Sequence, residues 1–363
     1  MSTILIAPDS FKGSATSIEV AAAIAQGWRS ERPIDRVIEI PFADGGEGTL
    51  LAIEYAQPTA IRNYCPEISP GAYWLLLDDA TAVVELAQVS GLTLLDKLDP
   101  LGAHTFVFGQ LLANAAKDSR VKRMYCALGG SASTDGGVGA LMALGYIFLD
   151  KHGIAIGLGG AEIARISEID KSNSIAPPIG GVVLLVDVQS PLLGINGAAA
   201  VFAPQKGASP LDVQLLESAL LHFAECANYP DNPGSGAAGG TAYGLNAYWG
   251  ARIESGATKI AELCGLNSLI SDADLIITGE GRLDSQSLQG KVVGYIMQCA
   301  ELAGVPIAYC VGSIDGEFPT PSLGGVSLTD FSGGAKESIE NPQKYLFEAG
   351  VQLAHFIEDF QLC

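Results

Sequence analysis

Residues 277–291 read ITGEGRLDSQSLQGK, which crowds Glu280, Arg282, Asp284 and Lys291 among glycines. Related stretches recur as PFADGGEGTL (41–50), LGGSASTDGGVGA (128–140), APQKGAS (203–209) and GSGAAGGTAYGL (234–245). Glycine-rich turns that open helices leave backbone N–H groups uncovered, and at the positive end of a helix those groups cradle phosphate. Three lysines flank such glycines: Lys12 in SFKGS, Lys206 in PQKGA and Lys291 in QGKVV. On a chain with 40 acidic and 20 basic residues, these cations are either the contacts for an anionic ligand or ordinary loop lysines.

The acids at these loops divide between two uses. Asp187, in VDVQSPLLG, either holds Mg²⁺ or acts as a base, or else caps the turn that follows. Asp284 in GRLDSQS and Asp135 in STDGG carry the same pair of readings. Glu47 and Glu280 suit the first turn of a following helix as well as a site. Ser131 and Ser133 either cap the next helix or donate to a substrate oxygen. The fifteen-residue stretch is not a Walker A loop, because GRLDSQSLQGKV lacks its spacing and its Ser/Thr, and no GxGxxG follows the first strand. The four scattered histidines form no HExxH and no zinc set.

The elements that position these residues alternate between short β-branched runs and longer helical patterns, the mark of an α/β protein with largely parallel sheets. TILIAP reads as the first strand, DSFKGSATS as a loop, and about 17–28 as a helix with Thr16 or Ser17 as N-cap. RVIEIPF leads into ADGGEGT and a second helix. Asp9 and Asp44 thus fall just past strand carboxyl ends, where open α/β sheets bind ligands. Closely spaced strands YWLLLDD and TAVVELA then mark a change of unit near residue 75. A helix over 105–117 and strands VKRMYCAL and GVVLLVDV follow, and helices dominate until ADLIITG. Strand and helix alternate again through PIAYCVG to a helix at about 342–360. The pattern predicts a discontinuous first domain, 1–75 plus 270–363, with a second α/β domain, 76–269, inserted.

Length, 363 residues, argues for about two domains, and 48% hydrophobic with 17% charged residues excludes a disordered chain. A net charge of −20 argues against nucleic-acid and anionic-membrane partners. MSTILIAPDS lacks a basic and a long apolar region, so it does not read as a signal peptide, and a cytoplasmic location is expected. Seven scattered cysteines without a CxxC pair read as small core residues.

Taken in order, IAPDSFKGS, ADGGEGT, DPLG, GGSASTDGG, DVQSPLLGINGAA, APQKGA, PGSGAAGG and TGEGRLDSQSLQGK resemble the block motifs of the bacterial glycerate kinase family, across 4 to about 315. The resemblance implies ATP-dependent phosphorylation of D-glycerate to 2-phosphoglycerate, with Mg²⁺. It also implies two α/β domains, one flavodoxin-like and split in sequence, the other inserted, with the active site in the cleft between them. Block by block it carries Asp9, Ser10, Lys12, Asp44, Gly45, Gly46, Glu47, Ser131, Ser133, Asp135, Asp187, Gln205, Lys206, Glu280, Asp284 and Lys291 into family positions. On this reading Lys12 and Lys291 contact phosphate or the glycerate carboxylate, and Gly129, Gly130, Gly279 and Gly281 supply backbone donors. Asp187 is the first candidate for base or Mg²⁺ contact, with Asp44 and Asp284 behind it, and Arg282 a candidate to select the acid. The chain departs from the pattern at Phe106, Val107 and Phe108, where relatives read Arg or Tyr before Gly-Thr-Gly, and Val107 at a glycine site is expected to close part of a pocket. Thr134 and Ser190 stand for Asn, and GKVV for GKVP. A kinase for another short hydroxy acid and a catalytically silent regulator are the competing readings.

Overall fold

In the computed structural model, which describes residues 1–284, 287–288 and 291–356, the chain divides into two compact units. The first comprises Met1–Asp44, Leu51–Pro58 and the chain from Ala257 onward; the second comprises Gly45–Leu50 and Thr59–Gly256.

Five strands build the sheet of the first unit: β1 (Thr3–Ile6), β2 (Arg36–Glu39), β11 (Leu275–Thr278), β13 (Ile307–Val311) and β15 (Gly325–Ser327). Each of their pairings is parallel, in the order β15-β13-β11-β1-β2. Numbered among themselves they run 2-1-3-4-5, the flavodoxin-like order, whose ligand crevice lies outside the carboxyl ends at the switch between strands one and three. Here those two strands are β1 and β11. Helix α1 (Ser17–Glu31) starts in a capping box, Thr16 Oγ1 accepting the Glu19 N–H while a Glu19 carboxylate oxygen accepts the Thr16 N–H. It buries Val20, Ile24 and Trp28 against the sheet and against the helix Pro342–Phe356. That close approach needs Gly27, where a Cβ would collide with the Phe347 carbonyl oxygen. The helix expected at 342–360 accordingly ends, within the described residues, at Phe356, and 357–360 lie outside them.

The second unit holds β3 (Ile61–Tyr64), β4 (Tyr73–Leu76), β5 (Thr81–Glu85), β6 (Arg123–Ala127), β9 (Val182–Leu185) and β10 (Arg252–Glu254) in one sheet, ordered β10-β9-β6-β5-β4-β3. β5, β6, β9 and β10 run parallel, and β4 and β3 return antiparallel. A separate pair joins β7 (Ile147–Leu149) to β8 (Glu168–Asp170). In the first unit β12 (Arg282–Leu283) pairs with β14 (Ser313–Ile314). The core of the second unit includes Trp74, Phe108, Leu184, Phe223 and Tyr243.

Two features differ from the sequence pattern. The expected domain limits, near 75 and 270, fall instead at 58 and 256, because β3 already pairs with β4 and the helix Gly256–Leu263 joins the first unit, Gln57 Nε2 donating to the Leu263 carbonyl oxygen at 2.8 Å. β3 was illegible because IRNY is a short, exposed edge strand with no apolar alternation. Second, the helix expected over 105–117 is present as Phe106–Lys117, but its Phe108 is fully buried in the core, so the Phe-Val-Phe departure serves packing at Phe108. Among the described residues no helix is long and apolar enough to cross a membrane.

Candidate active site

The loops after β1, β11, β13 and β15 line a pocket of about 380 Å³ within the first unit. Its wall includes Asp9, Ser10, Lys12, Glu280, Gly281, Arg282, Lys291 and Ser313. This is the carboxyl-end crevice that the strand order predicts.

Local geometry explains why these side chains face it. Residues 11–15 close on themselves, the Phe11 N–H donating to the Ala15 carbonyl at 2.8 Å and the Ala15 N–H to the Phe11 carbonyl at 2.9 Å, with Gly13 at φ +81°. The tight loop buries Phe11 and leaves Lys12 exposed. Gly279 is required where the chain leaves β11, because a Cβ there would run into the Cys310 carbonyl oxygen. Its own carbonyl accepts the Asp9 N–H at 2.9 Å, which binds the two strand-end loops together. Lys291 is the N-cap of the helix Val292–Ala303, so its cation stands at the end where that helix presents free N–H groups.

Asp9 is 8% exposed and accepts the Ser10 N–H at 2.6 Å. Burial, then the like charge of Asp44, pushes its carboxyl up to about 7, with Glu280 adding to the rise and the Ser10 N–H and Lys12 opposing it. Burial also raises Glu280, against the charges of Lys291 and Lys12, and its Oε1 is buried without a hydrogen-bond partner. Asp284 turns into its own loop, its N–H bonded to Ser287 Oγ at 3.0 Å and its Oδ1 accepting the Ser287 N–H at 3.3 Å. Its charge acts on Glu280 of the pocket. Arg282 is exposed and lies 3.6 Å from Asp315, a surface pair of little energetic weight. Four positions of the same loop, 285, 286, 289 and 290, lie outside the described residues.

In the second unit the expected glycines and serines lie on the loop after β6, with Gly45 and Gly46 packed against it. Gly129 donates its N–H to the Gly45 carbonyl at 2.9 Å, and a Cβ on Gly129 would lie 2.5 Å from the Gly46 Cα, so these glycines are close-approach residues. Gly130 turns at φ +77°, and Ser131 Oγ and Ser133 Oγ lie 3.0 Å apart. Asp187, half-buried, accepts from Ser255 Oγ at 3.1 Å. Glu47 and Gln205 are exposed.

Two expected ligand contacts are internal instead. Asp135 is wholly buried and accepts from the Thr105 N–H (2.9 Å), Thr105 Oγ1 (2.8 Å), the Gly137 N–H (3.1 Å) and the Gly139 N–H (3.1 Å). Lys206, 3% exposed, donates its Nζ to the Ser133 carbonyl, and burial holds it down to about 8 against the pull of Asp135. Their positions beside glycine suggested open loops; the tertiary fold covers them, since Gly239 packs against the Ser133 carbonyl where no side chain would fit. Sequence reasoning passed over Glu85, whose position inside TAVVELA reads as a strand residue and nothing more.

The family model described as the glycerate kinase family matches residues 4–358. A glycerate kinase of Halalkalibacterium halodurans is 39% identical over 329 residues, 86% of each chain. A glycerate 2-kinase of Escherichia coli is 39% identical over 326 residues, covering 86% of this chain and 85% of its own. A crystal structure of a protein described as a glycerate kinase 2 from Salmonella typhimurium LT2 superimposes with a TM-score of 0.77 at 30% identity, over 100% of both chains.

Proposed function

The chain belongs to the glycerate kinase family, and on that premise we propose that it transfers the terminal phosphoryl group of ATP to D-glycerate in the cytoplasm, giving 2-phosphoglycerate and ADP. The observation that carries this reading is the pocket at the β1/β11 switch point, which combines three cations, Lys12, Arg282 and Lys291, with the buried carboxyl of Asp9 and the half-buried one of Glu280. Phosphoryl transfer asks a protein for position and for neutralisation of spread negative charge, which lysines and free helix N–H groups supply. It also asks for a group that takes the proton of the attacking hydroxyl, best when its pKa lies near the working pH. Asp9 meets both conditions, so in this reading it replaces Asp187 as the first candidate for base. Lys12 and Lys291 hold phosphate or the glycerate carboxylate.

Among the described residues no three His, Cys, Asp or Glu side chains gather to hold a metal. Mg²⁺ that arrives on nucleotide phosphates needs one or two protein carboxylates only. Asp44, whose charge reaches Asp9, fits that need. The ion, when bound, offsets charge on the phosphates.

The test is to incubate the protein with ATP, Mg²⁺ and D-glycerate, follow ADP and identify the product by phosphorus NMR. Glycerate-dependent ADP with 2-phosphoglycerate is expected. Turnover with a different short hydroxy acid, or ATP binding without turnover, would replace this reading.

A further inference from the structure

Glu85 ends β5 with 4% of its surface exposed, and no step above uses it. Its Oε1 accepts the Gly48 N–H at 3.2 Å and its Oε2 the Leu50 N–H at 3.0 Å. These amides lead into helix α2 (Thr49–Ala56), whose first N–H groups have no partner within the helix. A carboxylate there makes charge-assisted bonds at the positive helix end. The other half of the same loop is held at Gly45 by the Gly129 N–H, and Thr49 Oγ1 donates to the Gly46 carbonyl at 2.8 Å. Residues 45–50 are thus fixed between the ends of β5 and β6, with Glu47 at the exposed crest.

We propose that Glu85 is a positioning residue for the kinase reaction: its carboxylate sets the backbone of residues 45–50 and thereby the placement of Glu47 and of the adjoining Asp44. The kinetic half of this inference rests on the proposed function; the hold on the loop does not. Burial pushes the Glu85 carboxyl up to about 7, the Leu50 and Gly48 N–H groups oppose the rise, and the like charge of Glu47 adds to it. Arg123 of β6 stands opposite Thr81, at the far end of β5. The clamp therefore carries its full charge only above neutral pH.

The test compares the full chain with Glu85→Gln and Glu85→Ala. Amide exchange of Gly48 and Leu50 is measured about one unit either side of that pKa and corrected for intrinsic rates, together with kcat and KM for ATP and D-glycerate. In the unaltered protein, protection should be greater on the alkaline side. Glu85→Gln should abolish that pH dependence and lower kcat by about tenfold with a smaller change in KM, as loss of position does. Glu85→Ala should lose protection at both amides; should it fail to fold, Glu85→Gln, which keeps one acceptor oxygen, decides. Unchanged exchange in Glu85→Gln overturns the clamp, and altered exchange with unaltered kcat and KM overturns its role in the reaction. A parent protein inactive on glycerate removes the functional reading and the kinetic role together, while the exchange result still decides the clamp.

Discussion

At the carboxyl ends of the five-stranded sheet, Asp9, Lys12, Glu280 and Lys291 line an open pocket; in the second unit, Asp135 on the loop after β6 and Lys206, which bonds that loop at the Ser133 carbonyl, are buried and bonded to the chain around them. Both regions are glycine-rich loops bearing an acid and a lysine, and both read alike in sequence. What separates them is where the backbone spends its donors. Asp135 absorbs three N–H groups and a hydroxyl, so its charge is consumed in shaping the turn that opens the next helix. Asp9 takes the N–H of its neighbour, is crowded by like charge, and keeps capacity for a ligand. A charged loop residue is available for chemistry to the extent that its own fold leaves it unsatisfied.

The largest effect should come from the buried region. Asp135→Ala strands several buried donors at about 1–3 kcal/mol each, so denaturant unfolding should show a loss of about 3 kcal/mol or more. A stable variant with impaired KM instead would erase the contrast. Next, Asp9→Asn should lower kcat by about 10² or more with a smaller change in KM and little change in the denaturation midpoint. In the parent enzyme kcat should rise with pH through about 7, as the Asp9 carboxyl ionises, and the variant should lack that rise. If Asp187→Asn has the larger effect on kcat, the base lies in the second unit.

Lys12→Ala and Lys291→Ala should raise KM for ATP or glycerate by about tenfold with stability unchanged. Kinetics equal to those of the parent would place either lysine outside the site. The smallest effect belongs to Lys206. Its pKa is lowered in the fold, so between about 8 and the ordinary lysine value of 10.5 the unfolded chain binds more protons, and stability should rise with pH across that window. Lys206→Met should flatten the slope, measured by urea unfolding at several pH values; a persisting slope would assign it to another group.

Much of the architecture was present in the order of residues. TILI, LIIT and IAYCV are short apolar runs that read as buried strands, and Thr16 with Glu19 announces the start of α1. The same reading placed Asp9 and the GEG loop at strand ends, which is where the pocket lies. Local pattern determines these features because burial periodicity and helix caps are properties of a few adjacent residues. It could not give β3, which is an edge with no apolar alternation, nor the domain limits that β3 moves.

Nor could it separate Asp9 from Asp135, or Lys12 from Lys206. Whether a carboxylate or ammonium group stays open depends on donors and walls from distant parts of the chain, Thr105 for Asp135, Ser133 for Lys206 and Glu280 for Asp9. Glu85 makes the same point in reverse, a residue silent in sequence that meets Gly48 and Leu50 across more than thirty positions. Sequence determined which residues could carry charge to the strand ends. Only tertiary packing decided which charges are satisfied internally, because desolvation and hydrogen bonding are set by neighbours in space.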